Sequence, residues 1–137
     1  MNRVTQQSCD IHIFDPAKLP SEEAASANNF SVHKWGIAGE NDATGKFKTV
    51  STIMSELHHG HVHVLKIDVE GYEKQSLPAL VREGTLDHVD QLSIEFHSVE
   101  LMKEGLDLLV GAGFGIVYAR REDRCETCTE VTLVKMS

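Results

Sequence analysis

The chain has 137 residues, 41% of them hydrophobic and 25% charged, the balance of an ordinary soluble globular protein rather than a disordered one. A net charge of -8 leaves no basic stripe for a phosphate backbone or an anionic membrane surface, so nucleic acid is not an expected partner. No stretch approaches the roughly 20 apolar residues of a spanning helix, and "MNRVTQQSCDIHIF" lacks the apolar core of a signal peptide, so the expectation is no membrane span and a cytoplasmic location.

In chain order, "CDIHIFDP" sets Ile11, Ile13 and Phe14 among polar residues and breaks at Asp15-Pro16, which predicts a short strand ending in a turn. "SEEAASA" predicts a short helix with Ser21 as N-cap and Glu22 and Glu23 at its positive end. A second strand is expected over Phe30 to Trp35, and "ENDATGKFK" reads as a polar loop. Val50, Ile53, Met54 and Leu57 share a helical face. Next, "VLKIDVEGYEKQSL" places Val64, Leu65, Ile67 and Val69 in a strand expected to be covered on both faces, with Gly71 ending the run. Lys66, Asp68 and Glu70 are charges that such a strand does not need.

A helix is expected through "YEKQSLPALVREG", kinked at Pro78 or restarted near Ser76, with Gly84 as its C-cap. "HVDQLSIEFH" supplies a strand and "SVELMKEGLDLLVGAG" a helix. "FGIVYA" and "EVTLVKM" are closing strands joined by "RREDRCETCT", most simply an antiparallel hairpin. Strands alternating with helices make this a single α/β domain with a doubly wound, mostly parallel sheet and an antiparallel C-terminal hairpin.

In open parallel sheets, ligands bind beyond the carboxyl ends of the strands. That rule selects Asp15, Trp35 with Gly36, Asp68 to Gly71, and Glu95 with His97. Asp15 is placed to accept the two hydroxyls of a ribose diol or to form an Asx-turn before Pro16. Asp68 and Glu70, two apart on a strand, point the same way, so one should hold its proton more readily. They suit a general base or a metal ligand, or with Lys66 a charge cluster capping the next helix. Glu95 and His97 repeat the spacing. The four together make an oxygen-and-nitrogen cluster able to hold a divalent ion or to bind substrate directly; substrate binding is the preferred use, no residue is assigned to a metal, and His97 is the candidate for proton transfer.

The histidines of "HHGHVH" straddle a loop and a strand start with no acidic partner in view, so they read as incidental and exposed. Cys125 and Cys128 form a CxxC without a second pair, a thiol pair in a hairpin loop. Three cysteines in all fit a reducing compartment. "GAGFG" follows a helix and opens a strand, the reverse of a dinucleotide loop, and reads as a helix C-cap and turn.

"VLKIDVEGYE" resembles the K-I-D-V/I-E-G-x-E segment of the FkbM-type methyltransferases and their methyltransferase-like relatives. The resemblance extends in that family's order to "FDP", "HKWGIAG", "KFKTVSTIMSEL" and "QLSIEFH", and so covers most of residues 10 to 120. It implies a Rossmann-like class I methyltransferase that uses S-adenosyl-L-methionine on an oxygen of a sugar, glycan, lipid or small metabolite. By position, Asp15 would hold the cofactor ribose, Gly36, Ile37 and Ala38 would lie near the adenine, and Asp68 would face the cofactor. Asp68, Glu70 and His97 would be catalytic, and Glu70, Glu95 and His97 would meet the acceptor. The family's first strand and glycine-rich loop would precede "CDIHIFDP", where ten residues are too few, so the fold is expected to be N-terminally truncated. Two other readings stay open: a non-catalytic module that has lost cofactor binding, and a divalent-metal hydrolase using the acidic cluster.

Overall fold

The computed structural model describes residues 9–17, 19–68 and 71–137. Strand β1 (Ile11–Phe14) runs parallel to β2 (Phe30–His33), and the link between them carries α1 (Glu22–Ala27). Ser21 caps α1 as expected, its hydroxyl accepting the Ala24 N–H at 3.1 Å. The second strand stops at His33, short of Trp35. Beyond it β3 (Gly36–Ile37) pairs in parallel with β4 (Phe47–Lys48), so the expected polar loop ends in a strand. Asp42 folds that loop back, one carboxylate oxygen accepting the N–H groups of Lys46 at 2.9 Å and Phe47 at 3.2 Å. Helix α2 (Val50–Glu56) follows, its N-cap Thr49 accepting the Thr52 N–H and its residues Val50, Ile53 and Met54 buried.

Strand β5 (Val62–Ile67) and β6 (Val89–Phe96) are parallel, and α3 (Glu73–Arg82) and a 3-10 turn over Thr85–His88 connect them. Pro78 does not restart α3, which is continuous from Glu73 to Arg82. One missing donor is offset by burial of Leu77, Ala79 and Leu80 on either side of it. The helix ends at Glu83, and Gly84 at φ +70° takes the left-handed conformation the turn requires. β5 departs from its expected burial: Ile67 is fully buried, but Val64 is 57% exposed. Three apart, the two side chains project to opposite faces of the strand, and it is Ile67 that joins the core. Val69 lies outside the described residues.

Helix α4 (Val99–Gly111) leads into the hairpin of β7 (Phe114–Arg121) and β8 (Thr129–Lys135). Gly113, at φ +97°, makes "GAGFG" the helix end and turn expected of it. β8 inserts antiparallel between β6 and β7, giving the order β5-β6-β8-β7. The strands therefore fall into three hydrogen-bonded sheets, two parallel pairs and one mixed four-stranded sheet, rather than one mostly parallel sheet. This is a mixed α/β arrangement with four α-helices among the described residues.

The core forms where β6 meets α3 and α4. Leu92, Ile94 and Phe96 alternate toward Leu77, Leu80 and Leu109, with Leu133 of β8 beside them, and all are essentially inaccessible to water. Each such side chain contributes about 1.5–3 kcal/mol of burial. The core holds rigid the carboxyl ends of β5 and β6. No helix among the described residues is long and apolar enough to cross a membrane.

Candidate active site

Because β5 and β6 are parallel with Ile67 opposite Ile94, the next residue on each, Asp68 and Glu95, emerges at the same level of the sheet. His97, two residues beyond Glu95, closes the group. Its Nε2 lies 3.5 Å from Asp68 Oδ1 and 4.0 Å from Glu95 Oε2. Its Nδ1 is hydrogen-bonded to Glu73 Oε1 at the start of α3. Ser98 then caps α4, its hydroxyl accepting the Leu101 N–H at 3.1 Å, which fixes the backbone on the far side of the imidazole.

Glu73 is 1% exposed, and its second oxygen is buried with no hydrogen-bond partner. A carboxylate accepts only, so the His97 Nδ1–H donates to Glu73 and leaves Nε2 facing Asp68 and Glu95. A buried acid placed to orient one histidine and left half-satisfied is typical of a functional site rather than a stabilising one.

Glu95 is pushed up to about 7 from 4.5, first by its hydrogen bond with Asp68, then by burial and by the Asp68 charge, with His97 pulling the other way. The carboxyl that holds its proton more readily is thus Glu95, beside Asp68 across the strands; the expected Asp68–Glu70 pairing falls outside the described residues. Glu70 lies outside the described residues.

Asp15, Gly36 and Ile37 lie in and beside the two small sheets. Asp15 forms the Asx-turn, Oδ1 accepting the Ala17 N–H at 2.8 Å, and its own N–H donates to the His33 carbonyl. Gly36 donates to the Lys46 carbonyl at 2.7 Å, and a Cβ there would lie 2.5 Å from the Phe47 ring. Ile37 is buried in the core, so a ligand at this loop meets its backbone. Phe14 and His33 each stack near Trp35, and Lys48 Nζ lies 3.7 Å over the Trp35 ring.

Two of the "HHGHVH" histidines do have acidic partners: His61 meets Asp90 at 2.9 Å and His59 meets Asp10 at 3.3 Å. Spacing alone did not reveal them because both acids come from other segments. The expected thiol pair is a disulfide, Cys125 to Cys128, with Cα atoms 5.2 Å apart. A cavity of about 560 Å³ separates α4 from the hairpin, lined by apolar side chains such as Met102, Leu106 and Val131 and reaching Thr127 and Thr129 on either side of Cys128.

Reading the residues one by one missed Glu73 and did not bring Cys128, whose sulfur lies within 4.8 Å of donor atoms of Glu95 and His97, to this end of the sheet. Glu73 was visible as the last residue of "VLKIDVEGYE", an acid in the first turn after a glycine. Cys128 becomes visible only from the β6–β8 register, in which Phe96 faces Thr129.

A family model described as a methyltransferase domain matches residues 1–133. The chain is 24% identical over 102 residues to the human "Probable methyltransferase-like protein 24", an alignment that spans 69% of this chain and 28% of that relative. No solved structure matches.

Proposed function

The chain belongs to a methyltransferase-domain family, and on that premise we propose that it moves a methyl group from S-adenosyl-L-methionine to a hydroxyl oxygen of a sugar, glycan, lipid or small metabolite, as the FkbM-type enzymes it resembles do. The observation that carries the reading is His97, clamped by a buried glutamate on one side and facing Asp68 and Glu95 on the other.

The side chains present suit that cofactor. Asp15 offers a carboxylate at the carboxyl end of β1, the group type that holds a sugar diol, and Gly36 and Ile37 offer backbone beside Trp35. Asp68 brings negative charge to the end of β5, favourable for a sulfonium. When bound, the cofactor supplies an electrophilic methyl group. The chain's own task is then to align an acceptor hydroxyl and remove its proton. His97 Nε2 takes that proton in this proposal, Glu73 holds the ring and stabilises the charge it gains, and Glu95 and Asp68 orient the hydroxyl. Glu70 joins them by sequence position. The cavity beside Thr127 and Thr129 gives an acceptor's apolar portion room.

Calorimetry with S-adenosylmethionine on the folded chain is the direct test. Binding is expected, and His97→Asn should keep it while losing about 10²–10⁴ of turnover with hydroxylated acceptors. No heat at millimolar cofactor from a folded sample would overturn the proposal in favour of a non-catalytic module.

A further inference from the structure

The sulfur of Cys128, a carboxylate oxygen of Glu95 and a ring nitrogen of His97 lie within 4.8 Å of one another. Asp68 Oδ1, 3.5 Å from His97 Nε2, adds a fourth candidate donor. We propose that reduction of the Cys125–Cys128 disulfide opens a divalent-ion site, best suited to zinc, formed by Cys128 Sγ, His97 Nε2, Glu95 and Asp68.

The chemistry of the set is that of zinc: one thiolate, one imidazole and two carboxylates match its tetrahedral mixed-ligand coordination. In such a site neighbouring donor atoms stand about 3.5 Å apart, from ligand bonds of about 2.0–2.3 Å. Cys128, Glu95 and His97 donors lie at most 4.8 Å apart, with His97 Nε2 4.0 Å from Glu95 and 3.5 Å from Asp68, so side-chain rotation brings the first three toward that spacing and Asp68 joins through the His97 side. Behind the histidine, Glu73 already occupies the position of a carboxylate that orients a metal-bound imidazole through its other nitrogen. Cys128 is 3% exposed and held over the cluster by the start of β8.

Oxidised, Cys128 shares its electrons with Cys125 and is a poor ligand. A dithiol reductant delivers two electrons and two protons, itself closing to a disulfide, and leaves both cysteines as thiols. The Cys128 thiol then releases its proton to solvent as its thiolate binds the ion. Cys125, half-buried in the hairpin turn, is the sulfur a reductant reaches first. The inference stands on this cluster independently of cofactor binding, and its test does not read activity.

Cobalt(II) is the probe, in a Cys9→Ser background that removes the free exposed cysteine. Cys125→Ser leaves Cys128 permanently unpaired, and that variant, like wild-type chain reduced with a dithiol and then freed of it, should bind one cobalt ion with a near-ultraviolet thiolate-to-cobalt absorption that zinc abolishes. Oxidised chain should bind at least about tenfold more weakly and without that band, and Glu73→Gln should weaken binding of the reduced form about 10–100-fold. Absence of the thiolate band from both folded Cys125→Ser and reduced chain would overturn the proposal. So would its persistence at full strength in His97→Gln or Glu95→Gln, variants that leave the sulfur and its burial untouched.

Discussion

Adding one carbon to α4 at either of two glycines should have opposite effects. At Gly105 a new Cβ would stand 2.5 Å from Phe96 Cε1 and 2.8 Å from Leu77 Cδ1, closer than real contacts allow, and both side chains are among the most deeply buried in the chain. Overpacking of this kind costs about 1–3 kcal/mol. Alanine returns about 1 kcal/mol of helix propensity, so Gly105→Ala should destabilise by up to about 2 kcal/mol. At Gly111 nothing lies within 4 Å of the new atom. There the same substitution should stabilise by about 0.5 kcal/mol. Urea unfolding resolves the difference: the two midpoints should move in opposite directions at unchanged slope. Because Phe96 immediately precedes His97, Gly105→Ala should also shift the His97 imidazole resonances, and Gly111→Ala should not. If Gly105→Ala is as stable as Gly111→Ala, the close packing of β6, α3 and α4 that positions the active site is not as described.

The remaining predictions concern the site and its supports. Glu95, raised from 4.5 to about 7, binds its proton more tightly folded than unfolded, so its contribution to stability is full below about pH 4.5 and lost as pH rises to about 7. Both carboxylates reach solvent, which leaves on the order of 1 kcal/mol. His33, lowered from 6.5 chiefly by burial and then by repulsion from His12, His59 and Lys48, acts with the opposite sign, its contribution present above pH 6.5 and lost on acidification. Glu95 is therefore read from the difference between wild type and Glu95→Gln in chelator, and parallel stability curves across that window would refute its raised value. Glu73→Gln replaces a charge-assisted bond by a neutral one, a loss of about 1.4 kcal/mol. It should mix the His97 tautomers in nitrogen NMR and lower turnover about tenfold; an unchanged Nδ1–H tautomer would argue against the clamp. Thr49→Ala removes the α2 cap and should lower stability by about 1 kcal/mol, measured by thermal unfolding.

What the sequence determined by itself was local. Apolar spacing placed strands near Ile11, Val62, Val89, Phe114 and Thr129 and helices from Ser21, Thr49 and Ser98, because capping and periodicity are short-range. The two-residue spacing of Glu95 and His97 put both at one end of β6, as strand geometry demands. Tertiary structure decided the rest. That Glu95 meets Asp68 and is raised by it depends on which strand lies beside β6 and in what register, a pairing between residues 27 positions apart. Pro78 stays inside a continuous helix because its neighbours are buried, which composition does not show. Glu73 reaches His97 from α3 and Cys128 from the residue before β8. Side chains converge on a site through packing between elements, and a periodicity confined to one element carries no record of that distance.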